Sequence, residues 1–499
     1  MGLQTRDVAA RAVQGSIFNV GASAITAASG FIRSVLLARL LAPEQFGVMA
    51  LALFFLSLST QAQRFGLNRA FIHRQDDSAS SVATFATLRV GLTGVAVLLA
   101  LGGAPFLGRL YPDHPGLAPV LAVLALLEVV RGFNGVAETL LTRALQFRRL
   151  AAINVVSSLA MTVVAPLVAL AGGGVWALVV EQATGVVVRS AGLWLYRRPW
   201  RPQFGLDRDL ARWYFRFGAF VFINANLSFL LDRFDDFWTG TFLGATALGF
   251  YSRAYEFARY PRRVLSGPIV QVFFPTFARL QGDRLRLSKA FYRVCSLIVR
   301  VGFLVFGTFA LIAPEFVRIF LGSQWLPMVA TFQLMLVYTL LDPLAGVCGN
   351  LISALGYPQI NSRIQAARAA FFVPAVVILA YLYGINGVAL AADLVLLLGL
   401  VLFFRAVKKF VDFSLLRLFL VPTLGLGLGA VTVLGFVAFV SLHHDGVLML
   451  AKGAVATSIY LSISFLLEGR EYLQNARLFW DCLVRSHRGG AGEQGESDG

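Results

Sequence analysis

Residues 16–38, SIFNVGASAITAASGFIRSVLLA, form one long apolar run with a single charged side chain, Arg33, near its far end. About 20 apolar residues in a helix rising 1.5 Å per residue cross a hydrocarbon core of roughly 30 Å, so the run reads as a membrane span. An ionisable group at that depth costs roughly 2.5 to 3.5 kcal/mol, and it persists where it faces a polar cavity or a partner. The stretch Asp232-Arg233-Phe234-Asp235-Asp236 places a second charged cluster inside the seventh such run. The expectation is that both sets of charges line a cavity.

The rest of the chain repeats the pattern. Of 499 residues, 58% are hydrophobic and only 14% charged, and the mean hydropathy is +0.73. An ordinary soluble domain carries about a quarter charged residues. The fold class expected is all-α: a polytopic membrane protein with about 14 transmembrane helices. A membrane β-barrel would instead show short alternating segments of about 10 residues. Two lobes of six helices are expected at 1–205 and 206–410, with two further helices over 411–468 and a cytoplasmic tail over 469–499. The eighth run, 249–258, is weakly apolar. Residues 260–287 after it are basic and punctuated by Pro261, Pro268 and Pro275, which predicts a break and a segment lying on the anionic leaflet.

A net charge of +17 raises the question of nucleic acid, but the placement of the charge answers it. Arg and Lys crowd every second inter-helix loop, as with Arg143, Arg148 and Arg149, or Arg405, Lys408, Lys409 and Arg417, while the alternate loops offer only Arg109 and Arg318. That asymmetry is the positive-inside rule, and it predicts two cytoplasmic termini and no nucleic-acid partner. Cys295, Cys348 and Cys482 are too far apart and odd in number to suggest a disulfide framework or metal site.

An internal repeat is visible at an offset of 202 residues. It lays Leu41-Ala42-Pro43-Glu44-Gln45-Phe46-Gly47 on Leu243-Gly244-Ala245-Thr246-Ala247-Leu248-Gly249. Transporters built from related halves hold their substrate between them. In this register Arg33 falls opposite Asp235, and a contact between the two is expected. On a helix Asp232, Asp235 and Asp236 share one face, with Arg233 turned about 100° away. A solvated loop is the competing reading of that cluster.

The substrate-cavity candidates are therefore Arg33, Asp232, Arg233, Asp235 and Asp236, joined by Glu128 and Arg131 in the fourth run, a couple at spacing three that can also simply neutralise each other. Glu138, Glu181, Gln182, Arg189, Asp342 and Asp393 are further polar residues at membrane depth. A planar guanidinium suits phosphate oxygens, which favours an anion as the ligand of Arg33. Enzyme signals are weak: Asp207-Arg208-Asp209 has no soluble domain around it, and His443-His444-Asp445 has no further metal ligand nearby.

Three segments then resemble a known family: Leu40-Leu41-Ala42-Pro43-Glu44-Gln45-Phe46-Gly47, Phe65-Gly66-Leu67-Asn68-Arg69-Ala70-Phe71-Ile72, and Leu248-Gly249-Phe250-Tyr251-Ser252-Arg253-Ala254-Tyr255, with Gly322-Ser323-Gln324-Trp325 also fitting. They are similar to the Wzx-type oligosaccharide flippases of the polysaccharide transport family, in the multidrug/oligosaccharidyl-lipid/polysaccharide superfamily, nearest its exopolysaccharide branch. The resemblance implies a central cavity and alternating access. It also implies an undecaprenyl-pyrophosphate-linked glycan as substrate, the bacterial inner membrane as location, and a polysaccharide polymerase and co-polymerase as possible partners beside membrane lipids. No enzyme activity and no cofactor are expected, and whether a coupling ion, Na or H, is used is not readable from the residues. Gly30-Phe31-Ile32-Arg33 also resembles the first-helix motif of lipid II flippases, but Ser34 stands where an aspartate usually follows. The alternatives weighed are a drug/cation antiporter of the same superfamily and a membrane glycosyltransferase or ligase.

Overall fold

The computed structural model describes residues 2–64, 66–74, 76, 78–195, 198–439 and 444–469. The tail beyond 469, with Cys482, lies outside them, as does His443. The described residues contain no strand. They separate into two compact units, residues 2–249 and 250–469. The first unit runs past the expected boundary at 205 and takes the next long helix with it.

The first unit holds α1 (Gly2–Leu40), α2 (Pro43–Ser59), α3 (Leu67–Arg74), α4 (Ala79–Leu110), α5 (Leu117–Arg143), α6 (Phe147–Leu170), α7 (Val175–Trp194) and α8 (Arg208–Trp238). Local chemistry sets several starts. Ser78 caps α4 by accepting the Ser81 amide, and Asp207 caps α8 by accepting the amides of Asp209 and Leu210. Pro43 opens α2, where its missing N–H costs nothing. α1 packs along α6, whereas α8 packs on α2, α3 and α4. Helix α8 continues through Asp232–Asp236 and ends in a π-turn, Thr239–Leu243, so the acidic cluster is helical and the loop reading is excluded.

Helix α9 (Ala245–Arg279) corrects one expectation. Its backbone is a single helix through positions 261, 268 and 275, where the prolines predicted a break. Proline removes one amide and crowds one carbonyl, but at seven-residue spacing those losses recur on one face and leave the other ladders intact.

The second unit continues with α10 (Arg284–Gly302), the short α11 (Thr308–Leu311) and α12 (Ala313–Phe316), α13 (Val329–Ala354), α14 (Pro358–Val407), α15 (Leu415–Phe439) and α16 (Asp445–Glu468). At 50 residues, α14 would span about 75 Å if straight, far beyond a bilayer. It folds at Gly384 (φ 57, ψ −136), and Gly387 lies so close to the Leu379 carbonyl that a Cβ would sit 1.8 Å from its oxygen. Two spans result, matching the two apolar runs that the sequence carries at about 366–383 and 388–404.

Nine helices of the described residues are long and apolar enough to cross a membrane, with α2 a shorter apolar one. The folded α14 supplies two crossings, and α7, α8 and α9 are of spanning length but carry charged residues at depth. The total is about fourteen, as expected. Cys295 and Cys348 are free thiols buried in one core cluster of the second unit.

Candidate functional site

Four helices of the first unit enclose a cavity of about 480 Å³. Glu128, Arg131, Gly135 and Glu138 recur every three or four residues, so they form one stripe of α5, and Gln182, Gly185, Val186 and Arg189 form a matching stripe of α7. Arg89 of α4, Ser157 and Met161 of α6, Asn134 and Gln63 complete the wall. The polar stripes turn inward because neither water nor a partner is available in lipid.

Three guanidiniums face two carboxylates here. Arg131 donates from Nη1 to Glu128 Oε1 at 2.6 Å and from Nη2 to Gln182 Oε1 at 2.8 Å. Arg189 lies 3.4 Å from Glu138 Oε1 and donates to Asn154 Oδ1 at 2.8 Å. Arg89 donates only to a neutral group, Asn68 Oδ1, at 2.8 Å, and its Nε is buried without a hydrogen-bond partner among the described residues. Arg89 is thus the surplus cation. The Nε–Nη2 edge of its guanidinium comes up against α5 at Gly135, where a Cβ would meet its Nη2 at 2.4 Å and its Nε at 2.6 Å. Only glycine lets the two approach. Deeper in the wall, Trp194 Nε1 donates to Asn134 Oδ1 and Asn134 Nδ2 to Ser190 Oγ, both at 2.8 Å, which fixes the α5–α7 spacing.

Arg33 stands beside this cavity rather than in its wall. Its Nε donates to Glu181 Oε1 at 2.8 Å, with Nη1 reaching Ser158 O and Thr162 Oγ1 at 3.4 Å, and both members of the pair are mostly buried. The partner expected from the repeat was Asp235, and the structure replaces it with Glu181. The packing explains the change: α1 lies on α6, while Asp235 rides on α8 against other helices. Arg33 is still coupled to the cavity, because Glu181 is followed by the Gln182 that holds Arg131. Asp232, Arg233, Asp235 and Asp236 do not line the cavity. Arg233 was expected to turn away from the acidic face; it instead reaches Asp236 Oδ2 at 2.9 Å, since its long stem spans one turn. Asp342 pairs with Arg262 at 2.5 Å in the second unit, and no cluster of three or more potential metal ligands occurs among the described residues.

Sequence reasoning singled out Glu128 and Arg131 but passed over Arg89 and Gly135. A signal existed: Arg89 is the only charged residue between Asp77 and Arg109. That Gly135 seats it was not readable, because the contact joins residues on different helices.

A family model described as polysaccharide biosynthesis protein matches residues 36–330, which contain every residue of this wall. The chain belongs to the polysaccharide biosynthesis protein family. Among its relatives, lipopolysaccharide biosynthesis protein WzxC of Escherichia coli K12 is 26% identical over 407 residues, 80% of this chain and 81% of that one. Succinoglycan biosynthesis transport protein ExoT of Rhizobium meliloti 1021 is 31% identical over 300 residues, 59% of each chain. Among solved structures, lipid II flippase MurJ in an inward closed conformation superposes with a TM-score of 0.76 at 12% identity, over 92% of this chain and 100% of that one. An inward-facing multidrug resistance MATE transporter follows at 0.57 and 12%, over 79% and 98%. At that identity the two share a fold with this family member, a multi-pass membrane transporter fold.

Proposed function

We propose that this protein is a flippase for lipid-linked oligosaccharide, moving a glycan joined through pyrophosphate to a polyprenyl carrier across the bacterial inner membrane for polysaccharide biosynthesis. The observation that carries the reading is the cationic surplus of the cavity: Arg89, Arg131 and Arg189 against Glu128 and Glu138, at membrane depth. A diphosphate is the anion that such a site suits. Guanidiniums meet phosphate oxygens in bidentate pairs, and in a low-dielectric wall those bonds are worth more than in water. Arg89 can engage without giving up an ion pair, and Arg131 can exchange Gln182 for a phosphate oxygen while keeping Glu128. The lipid tail needs no polar site and can remain in the bilayer. The names of the relatives, which concern lipopolysaccharide biosynthesis and succinoglycan biosynthesis transport, support the substrate class.

On this reading the protein moves its substrate without covalent chemistry and needs no cofactor, and a gradient of Na or H drives it. Both termini lie in the cytoplasm, where the basic loops face. The test is Arg89→Ala in cells that lack the chromosomal copy. Lost polymer export, with normal protein in the membrane and accumulated lipid-linked repeat units, is the expected result. Wild-type export from that variant, or uptake of a cationic dye by vesicles of the purified protein, would sink the proposal in favour of a drug antiporter.

A further inference from the structure

The second unit has a cavity of its own, about 570 Å³, bounded by one side of α10 from Leu285 to Arg300, the loop at 412–414 with the start of α15, and the end of α16. Five charged residues line it: Lys289, Arg300, Asp412, Arg417 and Glu468. Three of them are already engaged. Arg300 holds Glu468 through two bonds of 2.5 Å, with both side chains buried. Arg284, at the rim, clamps Asp412 at 2.8 and 3.0 Å, and its hydrogen bonds hold the Asp412 carboxyl below the usual carboxylate range. Lys289 and Arg417 remain, and neither side chain has an ion pair or hydrogen bond among the described residues. Arg417 lies in the first turn of α15, where Ser414 Oγ accepts its amide at 3.4 Å and the unpaired amides of the helix start add positive potential. Leu285, Phe413, Leu420 and Val421 form an apolar part of the wall, beside Ser288, Tyr292 and Ser414.

Two cations without a partner among the described residues, beside a partly apolar wall, describe an amphiphilic anion. We propose that this cavity binds a phosphate group, that of an anionic phospholipid headgroup, with Lys289 and Arg417 on the phosphate and the apolar wall along the glycerol and first acyl carbons. The location agrees, since the cavity lies at the helix ends that carry the basic loops, where anionic headgroups gather. The buried Arg300–Glu468 pair forms its floor and ties α16 to α10, so an occupied site would staple three helices. A free phosphate would use the same two cations and ignore the wall. None of its lining residues belongs to the cavity of the first unit.

Native mass spectrometry of the solubilised protein tests this, with phosphatidylglycerol, phosphatidylcholine and inorganic phosphate as separate probes. Retention of phosphatidylglycerol over phosphatidylcholine is expected, and Lys289→Gln/Arg417→Gln should lower it about tenfold or more. Lys289→Arg/Arg417→Lys should keep it, and so should Lys408→Gln/Lys409→Gln, which removes the same charge elsewhere on the same side. Both targeted residues are exposed, so the variants should fold, and an unchanged melting temperature without lipid would confirm it. Binding of inorganic phosphate lost in the same double variant would still support the phosphate site and reassign its source to a soluble anion. Equal losses in the Lys408/Lys409 control, or no loss in either, would overturn the proposal.

Discussion

Gly135→Ala adds one methyl group to α5 and should silence the cavity without unfolding the protein. The new Cβ would stand 2.4 Å from Arg89 Nη2, 2.6 Å from Nε and 2.8 Å from Cζ, so the guanidinium must retreat by about 1 Å to reach ordinary contact. The obstacle is the end of a flexible side chain, not backbone, which is why the fold should survive. The retreat displaces Arg89, which Asn68 holds at 2.8 Å, from the place where it can bond an anion in the cavity. A hydrogen bond made by a charged group is worth about 1.5 to 3 kcal/mol, and each 1.4 kcal/mol is a factor of ten in affinity. Anion binding and export should therefore fall about tenfold or more, while the melting temperature in detergent shifts little. The assay is polymer export in a strain lacking the chromosomal copy, read beside membrane abundance. Wild-type export by Gly135→Ala together with failure of Arg89→Ala would refute the reasoning, because it would show that Arg89 works from another position.

Gly47→Ala and Gly249→Ala should each be lost from the membrane, at a cost of about 3 kcal/mol or more: their Cβ atoms would fall 1.7 Å from the Ala245 carbonyl oxygen and 1.9 Å from that of Pro43, and backbone does not yield. Normal accumulation of either variant would contradict the close approach. Glu181→Gln should impair transport less than it impairs stability, since it strands the largely buried Arg33; the double variant Arg33→Gln/Glu181→Gln should recover the melting temperature, and failure to recover would separate the two residues. Glu468→Ala should cost about 3 to 5 kcal/mol by leaving Arg300 buried without its carboxylate, measured as a lowered unfolding midpoint. Asp393 is 6% exposed and its Oδ1 has no partner among the described residues, so Asp393→Asn should hold or raise the melting temperature. A fall of several degrees would mean that its charge is compensated.

What the sequence made legible was whatever depends on length and period along one helix. The apolar runs, the division of α14 and the pairing of Glu128 with Arg131 at spacing three are all local quantities. The continuity of α9 was misread because three prolines outweigh, in a linear reading, the remaining helical hydrogen bonds around them. The cavity wall was only half visible. Glu181, Gln182 and Arg189 were noticed as polar residues at depth, but their grouping with Arg89 depends on which faces of α4, α5 and α7 meet. A helix in lipid is apolar toward the tails and toward its neighbours alike, so the spacing of its apolar residues does not mark the face it turns inward.

The repeat shows why one inference from it holds and another fails. The offset of 202 exchanges Pro43 with Ala245 and Gly47 with Gly249, and the contact between them maps onto itself: Gly47 lies against Ala245 while Gly249 lies against Pro43. A contact that survives exchange of its partners is the signature of a local two-fold axis. Arg33 and Asp235 are equivalent in the same register, each ten residues before the start of its next helix. Equivalence does not imply contact, because two-fold-related residues touch only on the axis. The helix starts at Pro43 and Ala245 lie on it, whereas Arg33 is packed off it, between α6 and α7, where Glu181 is in reach. The charge near the end of the first apolar run thus found its carboxylate within its own bundle of helices, one residue from the cavity that the surplus cation Arg89 occupies.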